Sequence, residues 1–214
     1  PIPALFSNLV SQGYSLYTVL EHLNRHLHAQ QSNHFVAAAA IRFDPRSGQL
    51  EVANCGLPDL HLIADSGEPL HRFVSANLPL GILPPDAFSG DSERVPIFAP
   101  ARLYLMSDGV TEARDPADQP FGENRLEDVL NTAAKQRFEH LLAQLKAHVG
   151  ESGFTDDCTV VEVRLTPVPT EPQATASPAR TRPSPLLPYT RLNETILACS
   201  VLLIEDDPGS RDLI

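Results

Sequence analysis

Ala101-Arg102-Leu103-Tyr104-Leu105-Met106-Ser107-Asp108-Gly109-Val110-Thr111-Glu112 is the stretch whose reading decides the fold. Leu103 to Met106 is apolar and reads as a buried strand. It runs directly into Ser107-Asp108-Gly109, a turn signal. A carboxylate at the mouth of a buried strand is costly unless something pairs it. A hard divalent cation is one such partner, and Gly109 leaves room for backbone or metal to come close. The plainer reading is a strand that ends in an Asp-Gly turn, which is a common arrangement.

A second acidic stretch lies near the end of the foldable region: Gly153-Phe154-Thr155-Asp156-Asp157-Cys158-Thr159, followed by Val160 to Leu165. Two adjacent carboxylates stand just before another strand. Like charges side by side repel, and a cation would relieve that repulsion. The alternative is a solvated turn. The distance of this pair from Asp108 along the chain is what two strand ends converging on one site would show.

Between and around these stretches the pattern is one of hairpins bracketed by helices. Residues 3–28 read as helical with a break at Gly13, and Ser15 caps a run in which Leu16, Val19, Leu20, Leu23 and Leu27 keep helical spacing. Residues 35–43 and 50–53 form a hairpin across Asp44-Pro45-Arg46-Ser47-Gly48. Further strands are expected at 60–63, 92–97, 103–106 and 159–165. Helices are expected at 124–132 and 137–149, the second with Phe138, Leu141, Leu142, Leu145 and Val149 on one face and stopped by Gly150. Consecutive hairpins with helices before and after predict an α+β fold rather than alternating βαβ units.

Composition excludes several functions. The 214 residues suffice for one domain with extras, and 42% hydrophobic and 20% charged residues are ordinary for a soluble globular protein. A net charge of −11, with no Lys/Arg-rich run, argues against nucleic acid or an anionic membrane as partner. No apolar run is long enough to span a bilayer, so membrane insertion of this segment is not expected. Cys55, Cys158 and Cys199 are scattered, which suits reduced thiols in a cytoplasm. Cys158 follows two carboxylates and reads as a structural thiol, not a nucleophile. His22 and His26 are four apart, but with no third ligand at motif spacing they read as a solvated face.

Residues 167–188 contain seven of the twenty prolines, mixed with Thr, Ser and Ala, and read as a semi-extended linker. The expected division is a domain over 1–166, a linker over 167–199, and a new element over 200–214. Ser200-Val201-Leu202-Leu203-Ile204-Glu205-Asp206-Asp207-Pro208 is an apolar strand ending in acids. It resembles the first strand of a response-regulator receiver domain, in which Glu205 and Asp206 would help hold magnesium. A chance apolar-acidic strand is the alternative, and alone this piece could not fold as a receiver.

Taken in order, the motifs of residues 1–166 resemble the SpoIIE-like branch of the metal-dependent PP2C (PPM) serine/threonine phosphatases. Pro3-Ala4-Leu5 resembles a helix start, and Asn24 sits where the family has a helical Leu-Asn. Phe35-Val36-Ala37-Ala38 with Phe43-Asp44 and Gly48 resembles the central hairpin. Asn54-Cys55-Gly56-Leu57-Pro58 resembles an Asn-Ala-Gly-His turn, and Pro79-Leu80-Gly81-Ile82 a Pro-Leu-Gly-Ile loop. Ser107-Asp108-Gly109-Val110-Thr111-Glu112-Ala113, Phe121-Gly122 and Asp156-Asp157-Cys158-Thr159 complete the set. Cys55 and Leu57 depart from the family's Ala and His. The family's first metal motif, a Gly-Asp expected just upstream of Pro1, is absent, so the chain reads as an N-terminally truncated fragment, itself expected to be inactive or nearly so.

The resemblance implies a sandwich of two antiparallel β-sheets flanked by helices. It implies hydrolysis of phosphoserine or phosphothreonine on a signalling protein, such as an anti-sigma-factor antagonist, within a bacterial two-component or partner-switching pathway. Two Mn²⁺ or Mg²⁺ ions would serve, with Asp108, Gly109 and Asp156 at the metal and Asp157 behind them or as an alternative ligand. No protein nucleophile is implied beyond a metal-activated water. The rival reading is a non-catalytic phosphatase-like binding module regulated by a receiver domain.

Overall fold

A computed structural model describes residues 2–30, 35–132, 136–154, 156–168 and 199–205. The chain opens with α1 (Ile2–Ser11) and α2 (Leu16–Ala29). Gly13, at φ +77°, separates them as expected. The Ser15 hydroxyl accepts the amide of Thr18 at 3.1 Å and so caps α2. Leu16, Val19, Leu20, Leu23 and Leu27 are all buried on one stripe. They pack on Ala38, Ala40, Ala53 and Cys55, whose small side chains let the helix layer come close.

The strands are β1 (Ala37–Asp44), β2 (Gln49–Cys55), β3 (Leu60–Ala64), β4 (Pro69–Phe73), β5 (Glu93–Pro96) and β6 (Ala101–Met106). Then come α3 (Asp108–Glu112), α4 (Gly122–Leu130), α5 (Arg137–Val149) and the 3₁₀ turn Gly150–Ser152, followed by β7 (Val160–Leu165) and β8 (Cys199–Glu205). One sheet has the order β5-β2-β1-β8 and the other β4-β3-β6-β7. Neighbouring strands pair antiparallel throughout.

Strand alternation sorts the side chains into layers. Ala39, Ile41, Phe43, Leu50 and Val52 meet Leu62, Leu103, Leu105 and Leu165 between the sheets. On the far side of the second sheet, Ile63, Tyr104 and Met106 face Leu126, Leu130, Leu141 and Leu145 of α4 and α5. The result is the expected α+β sandwich: helices, sheet, sheet, helices.

The structure corrects three local expectations. Ser107-Asp108-Gly109 does not make a simple turn, because Asp108 opens the short helix α3 with Ser107 as its N-cap residue. The strand β4 was not expected; it is an exposed edge strand that begins with a proline and buries little beyond Phe73. The helix α4 starts at Gly122 rather than 124.

The strand expected near Ser200–Ile204 exists as β8, and it is hydrogen-bonded to β1 over Ala37↔Glu205 through Phe43↔Cys199. A lone apolar strand has unpaired backbone groups, and the edge of β1 supplies partners. Asp206 and residues 169–198 of the expected linker lie outside the described residues.

The connections fix which strand ends share a mouth. Cys55 ends β2 and pairs with Ala38 at the start of β1. Residues 56–59 carry the chain from there to Leu60, which starts β3 in the other sheet. His61 pairs with Tyr104, so the start of β3 lies beside the end of β6. Met106 pairs with Val160, so β7 starts at the same end. Asp108, Asp156 and Asp157 therefore stand at one mouth of the sandwich, on the side where β1 begins.

Candidate functional site

Ser107 joins the two acidic stretches. Its side chain is 1% exposed. Its hydroxyl donates to the Asp157 carbonyl at 3.0 Å and accepts the Thr159 amide at 2.9 Å. Its own amide donates to the Thr159 carbonyl at 3.0 Å. One small polar residue thus fixes the end of β6 to the segment that leads into β7. A buried hydroxyl used as both donor and acceptor leaves little freedom at either strand end.

Gly109 makes the second contact. A Cβ at this position would lie 2.5 Å from the Asp157 carbonyl oxygen and 3.2 Å from its carbon. The room that Gly109 leaves is used on this side by the Asp157 backbone, one of the two uses the sequence suggests. The Cys158 thiol donates to the Gly109 carbonyl at 2.8 Å, which fits its expected structural role. Ser107, Gly109 and Cys158 form the seam on which Asp108 and Asp157 are mounted.

The acids themselves correct one premise. Asp108, Asp156 and Asp157 are exposed, so no burial penalty demands a partner. Among the described residues no hydrogen bond engages the carboxylate of Asp108 or of Asp157; at Asp108 only the backbone carbonyl is used, by the Thr111 hydroxyl at 3.1 Å. Asp108 is not serving as a turn cap. Asp156 Oδ1 accepts the amide of Asp157 at 2.7 Å.

The rest of the mouth is framed by buried asparagines. Asn54 accepts the Leu57 amide at 3.0 Å and donates to the Leu57 and Pro58 carbonyls at 3.1 and 3.2 Å. Gly56, at φ +91°, lies against Pro79, which a Cβ would meet at 2.4 Å. Asn24, fully buried on α2, accepts the Gly81 amide at 2.8 Å and donates to the Leu83 carbonyl at 3.0 Å. Asn77 donates to the carbonyls of Asn54 and Asp91 at 3.1 and 2.8 Å. Asn54 and Gly56 shape a turn, as the sequence suggests. Asn24 and Asn77 clamp the following loop, a role that sequence spacing does not signal. Burial raises the pKa of the adjacent Cys55 thiol to about 12, so that thiol is inert.

The donor chemistry fits a hard cation: aspartate oxygens on two elements held together by a glycine-carbonyl contact. In number they are only part of a coordination shell, since among the described residues no group of three or more His, Cys, Asp and Glu is placed to hold an ion. His22 and His26 are separately engaged, with the Thr18 carbonyl and with Gln30.

A family model described as stage II sporulation protein E (SpoIIE) matches residues 2–166. The chain belongs to the SpoIIE family. Among curated relatives, it is 31% identical over 124 residues to protein IcfG of Synechocystis sp., covering 56% of this chain and 19% of that protein. It is 25% identical over 151 residues to phosphoserine phosphatase RsbP of Bacillus subtilis, covering 64% of this chain and 36% of that one. The chain thus spans well under half of either relative. Its fold matches the PP2C phosphatase domain and regulatory fragment of SpoIIE from Bacillus subtilis with a TM-score of 0.62 at 18% identity, over 77% of this chain and 48% of that one. It also matches RsbX crystallised in complex with magnesium, at a TM-score of 0.53 and 17% identity, over 77% and 71% of the two chains. These likenesses establish the PP2C sandwich for this SpoIIE-family chain. Among the described residues no helix is long and apolar enough to cross a membrane.

Proposed function

We propose that the protein carrying this chain is a metal-dependent phosphatase that hydrolyses phosphoserine or phosphothreonine on a signalling protein. The observation that carries this reading is the Asp108 carboxylate. It is presented at the sandwich mouth, seamed to the Asp156–Asp157 segment, and spent on no structural hydrogen bond among the described residues. The name of the relative RsbP, a phosphoserine phosphatase, supports the substrate class. The magnesium in the RsbX complex supports the cofactor class.

In this reading Asp108 and Asp156 are ligands to Mn²⁺ or Mg²⁺, Gly109 lets the Asp157 backbone close on α3, and Asp157 stands behind them or replaces one of them. A pair of such ions would supply an acidified water and neutralise phosphoryl oxygens. The chain's own part is to hold negative charge at fixed positions. Ser107 sets the spacing of the two strand ends, and the asparagine-clamped loops keep the mouth from rearranging. Glu205, the register partner of Ala37, and Asp206 remain proposed magnesium ligands of a receiver-like element. A cytoplasmic location, a place in a partner-switching or two-component pathway, and an anti-sigma-factor antagonist as substrate belong to the same proposal.

The short donor set favours a second reading, a phosphatase-like module that binds its partner without turnover. One experiment separates the two. The longer protein is assayed on p-nitrophenyl phosphate and phosphoserine peptides with Mn²⁺, with Mg²⁺ and with excess EDTA. The enzyme reading expects turnover with metal and none in EDTA. Full activity in EDTA would overturn the metal mechanism, and absence of turnover with either metal, alongside retained partner binding, would leave the module.

A further inference from the structure

Register places four polar side chains in one row across the second sheet. Arg72 of β4 opposes His61 of β3, His61 opposes Tyr104 of β6, and Tyr104 opposes Glu162 of β7. Opposed residues share a face, here the one covered by α4 and α5. Arg72 donates to Asp59 and, at 3.1 Å, to Glu127 of α4. Tyr104 donates to Glu162 at 2.8 Å and accepts from Arg137 of α5 at 3.5 Å. His61 is the exception in the row. It is 7% exposed, and its Nε2 is the one buried side-chain nitrogen or oxygen with no hydrogen-bond partner among the described residues.

A neutral imidazole in such a place forgoes one hydrogen bond. A protonated one would bring a charge and a second donor into the same place. The carboxylates nearby are poorly placed to receive it. Asp59 and Glu127 are paired with Arg72, whose own positive charge opposes a second, and Glu123 in the first turn of α4 is exposed. Arg137 lies over the Tyr104 ring, next in the row, and adds positive charge from the α5 side. Burial outweighs the pull of Glu123, Glu127 and Asp59 and holds the His61 pKa below its ordinary value.

The element above this row is α4. Its Leu126 and Leu130 share a core with Ile63 and Tyr104, and the same core contains Val110 of α3 and Ala113 just after it. The short helix α3, which carries Asp108 and Gly109, leans on that core. Five residues do not hold a helix without such packing.

We propose that His61 is an acid-sensitive latch between the second sheet and α4. Uncharged, it lets α4 close on the sheet; charged, it loosens α4 and, through the shared core, α3. This inference does not depend on the phosphatase reading. A histidine whose folded pKa is lowered leaves stability intact above its unfolded value of about 6.5 and withdraws it as pH falls through the folded value.

The test is amide hydrogen exchange in the full 214-residue chain at about pH 7 and about pH 5, with intrinsic rates divided out. The Leu126 and Leu130 amides should open at least about threefold more at the lower pH. The Val110 amide, which donates to the Ser107 carbonyl at 3.2 Å, should follow them. Both His61→Leu and His61→Gln should remove the difference. In the parent, the His61 ring followed by NMR should titrate below the ordinary value of about 6.5. Titration at or above that value, equal opening of α4 at the two pH values, or the parental difference persisting in the variants would each overturn the latch. The NMR reading needs no variant, so it decides even if both substitutions fail to fold. Loosening of α4 with Val110 unchanged would overturn the extension to α3.

Discussion

Asp44 ends one apolar strand before a glycine-bearing turn, and Asp108 follows another by two residues and opens α3, yet the two are used differently. Asp44 Oδ1 accepts the Arg46 amide at 2.9 Å, and Oδ2 accepts the Ser47 hydroxyl at 2.6 Å. Those bonds, the Ser47 hydroxyl first, hold its carboxyl below the usual range. Asp115 is used the same way, accepting the amides of Ala117 and Gln119 at 2.9 Å each. Asp108 is exposed, and no hydrogen bond among the described residues engages its carboxylate. An aspartate that closes a turn has its oxygens consumed by the turn. In the proposed reading, one whose carboxylate takes no such bond among the described residues, beside a strand end pinned by a buried serine, is the one that holds a cation.

That contrast can be broken most directly by paired substitutions in the longer protein. Asp108→Asn should lower phosphatase turnover by about 10²-fold or more, the scale of losing a main electrostatic stabiliser, with the fold intact by circular dichroism. Asp44→Asn should leave turnover unchanged and lower the melting temperature slightly, because an amide oxygen still closes the turn but more weakly. Near-parental rates for Asp108→Asn at limiting Mn²⁺ would return Asp108 to the class of Asp44. Since Asp108 is exposed, its neutralisation should not stabilise the metal-free protein.

Gly109→Ala comes next in size. Its Cβ would collide with a backbone carbonyl, which cannot swing away as a side chain can. A loss of about 1–3 kcal/mol in unfolding free energy is expected from such overpacking, together with weaker Mn²⁺ binding by calorimetry. A fully stable Gly109→Ala with parental metal affinity would mean that the seam is looser than described. Ser107→Ala should cost about 1 kcal/mol by removing the hydroxyl that bonds the Asp157 carbonyl and the Thr159 amide. Its mark would be a raised metal requirement that excess Mn²⁺ repairs, a readout that Asp108→Asn would not share.

The smallest expected effect is a pH dependence at the opposite face of β6. Burial alone would raise the pKa of Glu162, but hydrogen bonds from Tyr104, Arg102 and Arg164 outweigh it and hold the carboxyl below its ordinary value. A carboxyl with a lowered folded pKa stabilises the protein above its unfolded value of about 4.3. That contribution is lost as pH falls through the folded value. Glu162→Gln should therefore flatten the acid limb of a thermal-stability profile and leave the neutral region nearly level. An unchanged acid limb would remove Glu162 from the account.

Most of the frame was legible in the sequence because it rests on local pattern. The α2 stripe, the β1–β2 hairpin and the apolar runs of β6 and β7 follow from spacing and turn residues alone. β4 escaped because an edge strand with exposed Leu70 carries no clear alternation. α3 escaped because five residues are too few to show a helical period. At the site, sequence pointed to Asp108, Gly109, Asp156 and Asp157, and the structure brings their segments together. It did not point to Ser107, whose importance lies in two bonds to residues fifty positions away. Nor did it show that Arg137 would be 1% exposed, held beneath the Tyr104 ring and bonded to the Thr132 carbonyl. A charged residue at a helix start reads as solvated until tertiary packing covers it.

The place of β8 also has a consequence for synthesis. The chain leaves the ribosome from its N-terminus, so β1 is made long before the strand that covers it. At about 5–20 residues per second, roughly 10–30 s separate the two. During that time β2, the next strand to be made, can already pair with its side of β1. The β1–β2 pairing closes from one short stretch of chain, whereas the β1–β8 pairing has to wait for residues made much later.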